Sequence, residues 1–99
     1  MTNRESKVSF KVLRSEVTRA LNETDPIGLI GGGAPLDEYS PEIGTILPRL
    51  REASSEQTLR RIIHEEFSRW FGPDVAGTEE TYAGAAMRIW SYLNNERTV

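Results

Sequence analysis

The residues able to do chemistry fall into two groups. The first lies in Asp25–Pro41, "DPIGLIGGGAPLDEYSP", which holds four of the chain's eight glycines, three of its five prolines and three carboxylates, and no basic residue. A glycine run can cradle phosphate, but a phosphate loop needs a strand before it and a lysine–hydroxyl pair at its end. Here "APLDEY" follows, and Asp25, Asp37 and Glu38 would repel an anion. A cation would want several oxygens at close spacing. Asp25 and Asp37 stand twelve residues apart, without the alternating acids of an EF-hand, so neither a metal nor a cofactor is expected.

The second group lies on "LRRIIHEEFSRWFG". The "HEEFS" at His64 is not the zinc-protease pattern, because the second histidine, needed one helical turn on, is Ser68. His64 is the single histidine, cysteine is absent, and no "GxSxG" elbow occurs. A non-enzymatic protein is therefore expected. Glu66 falls inside the apolar stripe of Leu59, Ile62, Ile63 and Trp70. A buried carboxylate is costly unless bonded. Glu66 is expected to be an internal staple, accepting bonds from connector amides, an arginine or a tyrosine; an acid placed at an opening is the alternative.

Helical spacing dominates the elements that must hold these residues. Phe10, Leu13, Val17, Ala20 and Leu21 predict a first helix over residues 9–23, with residues 1–6 frayed. Val8, Phe10 and Val12 also alternate, which leaves a short strand as the alternative. Ser40 and Pro41 read as a cap and first turn. Ile43, Ile46, Leu47 and Leu50 carry a second helix to about residue 52, and Pro48 should kink or break it. Ser54 with Gln57 suggests a capping box for the third helix, with Ser55 as the other candidate cap. That helix runs through Leu59, Ile62, Ile63, Phe67, Trp70 and Phe71 to a stop at Gly72-Pro73. Tyr82, Ala85, Ala86, Ile89 and Leu93 predict a fourth helix over 78–95, and Ala83–Ala86 allow a close neighbour. The expected fold is an all-α, four-helix bundle in one domain, 1–99, with a long ordered connector at 24–40 laid over its end.

At 99 residues a second core has no room. The net charge is −3 and the pI near 5.2, without the basic surplus of a nucleic-acid binder. No apolar run approaches a bilayer-spanning length, and the N-terminus has no secretory pattern, so the cytoplasm is the expected location and neither membrane nor nucleic acid is an expected partner. Charge is uneven, at +3 over residues 1–22 and −5 over 23–48. That is either internal complementarity or a polar surface for a charged partner.

The spaced motifs "DPIGLI" and "GAPLDEYSPEI", followed by "LRRIIHEEFSRWFG", resemble the YugE-like family of small bacterial domains over about residues 10–72. The resemblance implies a bacterial origin and an all-α fold. It implies no reaction, cofactor or catalytic residue. The expected function is protein interaction through an acidic connector surface, Asp25, Asp37, Glu38 and Glu42, with Tyr39 as an aromatic anchor. An immunity-type inhibitor of a basic partner such as a nuclease is one version. The alternative is a small-ligand or regulatory domain with a pocket between the connector and the third helix, lined by His64, Glu66 and Trp70 with Tyr39. Trp90 and Tyr92 are candidate contacts of a homodimer.

Overall fold

The computed structural model describes residues 3–29, 31–33 and 39–98, with side chains described over 11–29, 31–33 and 39–94. Asp37 and Glu38 lie outside the described residues. The helices form where apolar stripes and breakers dictate. The first, α1, is Asn3–Thr24. It starts earlier than its stripe requires, so residues 3–6, expected to fray, are helical, and the alternating residues 8–12 are helix instead of strand. Asp25 closes it in a left-handed conformation, φ 45°, with its amide donating to the carbonyl of Leu21. Pro26 then cannot continue the helix.

Helix α2 is Ser40–Ile46, and the chain tightens at Leu47 into a 3₁₀ segment, Leu47–Glu52. Pro48 explains the change: it has no N–H for the carbonyl one α-turn back. Ser40 does not cap α2, whose flanking residue is Tyr39; the Ser40 hydroxyl accepts a bond from Arg14 instead. Helix α3 is Glu56–Phe71, and its cap is Ser55, whose Oγ accepts from the amide of Thr58 at 3.1 Å. Gly72 ends it with φ 85° and an amide bond to the Ser68 carbonyl, as the Gly-Pro pair predicts.

Pro73 then opens a further turn, α4, Pro73–Ala76. The last helix is entered through a 3₁₀ turn, Glu79–Tyr82, and α5 itself is Ala83–Thr98. The described residues contain no strand, so the chain is all-α. Among the described residues there are five α-helices where four were expected, because the stretch between Gly72 and Gly77 closes into a helical turn of its own, α4.

α3 lies at the centre, against α2, α4 and α5, while α1 packs on α5 and α2. Glu23 pairs with Arg88, and Gly84 faces the Thr24 methyl, so the end of α1 meets the start of α5 and the two run antiparallel. The fully buried Phe67 ring contacts Tyr39, Phe71 and Tyr82 at centroid distances of 5.6, 5.8 and 4.9 Å. Both tyrosine hydroxyls find acceptors: Tyr39 donates to Asp25 Oδ1 and Tyr82 to the Ala76 carbonyl, each at 2.6 Å. Buried donors require such partners.

Burial pushes the Tyr82 phenol up to about 12. Burial also raises Tyr39, and its bond to the Asp25 carboxylate adds to the rise. An unfolded tyrosine ionises near pH ~10. Above that pH the unfolded chain loses phenolic protons that the folded chain keeps. The stability these groups contribute is therefore complete below about pH 10 and is lost as pH climbs toward 12. Urea unfolding measured across this window should show the decline, and Tyr82→Phe should flatten it even though its stability at neutral pH is lower.

Candidate functional site

The connector is a bonded knot. Asp25 organises it: Oδ1 accepts the Tyr39 hydroxyl, and Oδ2 accepts the Gly31 amide at 2.8 Å. The Tyr39 oxygen in turn takes the Leu29 amide at 3.4 Å. Gly28 and Gly32 donate back to the carbonyls of Asp25 and Gly28. A Cβ on Gly31 would stand 3.2 Å from the Asp25 carboxylate, so glycine permits the approach.

Of the expected acidic surface the structure describes Asp25, Tyr39 and Glu42, and it draws these three inward. Tyr39 is 0 % exposed, and a ring wedged on Phe67 is a core residue, not an anchor for a partner. Glu42 is buried on α2. Asp25 spends both carboxylate oxygens inside the connector. Glu23 pairs with Arg88. The described acids of residues 23–48 are thus used internally.

The expected pocket residues are not brought together. His64 turns toward the Gly77 carbonyl, 2.9 Å from Nε2, and lies against Tyr82. Glu66 turns toward α2's 3₁₀ extension, where Arg49 Nη1 donates to Oε2 at 2.9 Å. Trp70 lies one turn beyond, 48 % exposed, with its indole N–H donating to the Thr45 hydroxyl at 3.1 Å. His64 thus serves the α4–α5 corner, while Glu66 and Trp70 serve the seam between α2 and α3.

Glu66 is the internal staple that its place in the stripe demanded, 2 % exposed and paired with an arginine. Arg49 also reaches Glu65 at 2.9 Å and Glu52 at 3.3 Å. Burial alone would lower the Arg49 pKa; its bonds to Glu66, Glu52 and Glu65 outweigh this and raise it. Among the described residues no group of three or more His, Cys, Asp or Glu could hold a metal ion. No helix among them is long and apolar enough to cross a membrane.

Two surface grooves lie elsewhere, and sequence reasoning missed both. The first, about 530 Å³, runs between α1 and α5 past Arg19, Glu23, Met87 and Arg88. Its charges neutralise one another, Glu16 with Arg19 and Glu23 with Arg88. The second, about 510 Å³, is bounded by α1, α2 with its 3₁₀ extension, and α5. Its apolar wall is Leu13, Leu47, Pro48, Leu50 and Leu93, and its polar edge is Arg14 and Arg51. Gly44, exposed in the middle of α2, completes it; a Cβ added there would meet no atom within 4 Å. The available signal was a glycine and a proline on the outer face of a short amphipathic segment. Trp90 packs against the core and is half-buried, which removes most of its ring from the expected dimer contact.

Comparison with known proteins adds no relative: no family model, curated protein or solved structure matches the chain.

Removing Arg49 would leave Glu66 buried without its charge partner. Arg49→Met should cost about 2–4 kcal/mol in urea unfolding. Adding Glu66→Leu to that variant should restore much of the loss, because the orphaned carboxylate is gone. A double variant less stable than Arg49→Met would contradict the staple.

Proposed function

We propose that the chain is a protein-interaction domain that docks a segment of another protein in the groove between α1, the 3₁₀ segment and α5. The observation that carries this reading is the exposed Gly44 beside an apolar wall. Glycine inside a helix costs about 1 kcal/mol relative to alanine. Nothing in the fold requires it at this position, since the space around it is open. A bare backbone there lets another chain approach closely. The wall of Leu13, Leu47, Leu50 and Leu93 supplies apolar area, and the groove's open side suits an occupant that buries one face.

This keeps the protein-interaction reading and moves it off the connector. The inhibitor of a basic partner needed an exposed acidic strip with Tyr39 as anchor, and the described part of that strip is spent inside the fold. We also propose kinship with the YugE-like domains, on the two spaced motifs alone.

Gly44→Ala should raise stability by up to about 1 kcal/mol. Gly44→Phe should keep the fold and fill the groove. With a photo-reactive residue at Pro48, the protein in extract of its producing cells should capture a partner that the Gly44→Phe form does not. The same residue at Val75, exposed on α4, is the control. Equal capture from both positions, or capture unaffected by Gly44→Phe, would overturn the reading.

A further inference from the structure

The groove's charge specifies its occupant. Most described arginines are neutralised: Arg19 by Glu16, Arg49 by three glutamates, Arg60 by Glu79 and Glu80, Arg61 by Glu65 and Arg88 by Glu23. Arg14, Arg51 and Arg69 have no carboxylate partner among the described residues, and of these three Arg14 and Arg51 edge the apolar groove. Arg14 is half-buried and oriented by its bond to the Ser40 hydroxyl at 3.2 Å, a neutral acceptor that leaves its charge uncompensated. Arg51 is exposed, one turn from Pro48 on the 3₁₀ segment. Lys11, one turn before Arg14 on α1, is exposed and also lacks a carboxylate partner among the described residues.

The companion groove between α1 and α5 makes the contrast. It is of similar volume, and its ion pairs close on themselves. A net charge of −3 makes a local positive edge on an apolar groove the more specific signal. An open groove covers one side of an occupant, and an amphipathic helix offers an apolar stripe with flanking charges.

We propose that the groove takes an acidic amphipathic helix of a partner protein, its apolar stripe on Leu47, Leu50 and Leu93 and its carboxylates on Arg14 and Arg51. The proposal rests on the docking reading above and adds the sign of the partner's charge. Carboxylates at this edge would gain bidentate bonds to guanidinium and would be steered toward it before contact.

The test uses the full chain and two designed helical peptides of about 16 residues, or about 24 Å of helix, identical except that glutamates in one are lysines in the other. Titration followed by amide NMR should show the acidic peptide shifting Gly44, Leu47, Leu50 and Leu93, with the lysine peptide at least about tenfold weaker. Raising salt from about 50 to about 300 mM should shrink that gap. Arg51→Glu, at an exposed position that the fold does not use, should reverse the preference, and Arg14→Gln should weaken it. If both peptides bind equally and Gly44→Phe blocks both, the charge inference fails and the docking reading stands. If binding survives Gly44→Phe, or the shifts map elsewhere, the docking reading itself fails. Binding of neither peptide, or self-association of the chain through the groove, overturns the acidic-helix proposal.

Discussion

The fold hangs on one packing problem, the burial of two tyrosines against Phe67. Neither ring can enter the core unless its hydroxyl finds an acceptor, because an unmade bond in the interior costs about 1–3 kcal/mol. The chain meets the condition twice by bringing irregular backbone to the phenols. Tyr39 draws in Asp25 and with it the connector; Tyr82 draws in the Ala76 carbonyl and with it the α4 corner. The two segments that are not long helices are therefore tied to the same aromatic centre. Asp25 pays for this with a left-handed backbone, φ 45°, which aspartate tolerates better than most residues.

The seam between α2 and α3 follows a related logic. Glu66 projects from the apolar face of α3 and is tolerable only because Arg49 meets it. Arg49 itself is held by Glu52 and Glu65 at the surface, so the pair is the inner half of a small network. One turn along, the Trp70 indole donates to Thr45. The pairs of Arg49 with Glu66 and Glu65 and the Trp70–Thr45 bond cross the seam and set how α2 lies on α3. The Pro48 transition to 3₁₀ then delivers Leu47 and Leu50 to the core while their outer edges wall the groove.

Much of the fold was legible because local rules acted alone. The α3 stripe, the Gly72-Pro73 stop and the Pro48 break are each set by residues within a turn of the event. The staple role of Glu66 was legible from its place on the wheel, since a carboxylate in a stripe must be paired. The connector was not legible, because its organiser acts across fourteen residues, Asp25 to Tyr39. Read locally, both look like surface groups in an acidic loop. His64, Glu66 and Trp70 share one helix and looked like one pocket, yet about 100° per residue turns His64 away from the other two. The groove was the least visible feature, since three segments distant in sequence build it.

Charge patterning depends on distant contacts in the same way. The basic segment 1–22 and the acidic segment 23–48 suggested either internal complementarity or a polar surface for a charged partner. Among the described residues no ion pair joins the two segments. Asp25 is satisfied by a tyrosine and a backbone amide, and Glu23 by Arg88 from the far end of the chain. Arg14, in the middle of α1 and without a carboxylate partner among the described residues, shares a groove edge with Arg51. Coulomb attraction between exposed groups fades within about 8–10 Å at ordinary salt, so a partner meets the local edge and not the sum of the chain. A protein acidic overall can therefore carry a local basic edge, and here that edge lies beside the apolar wall that Gly44 leaves uncovered.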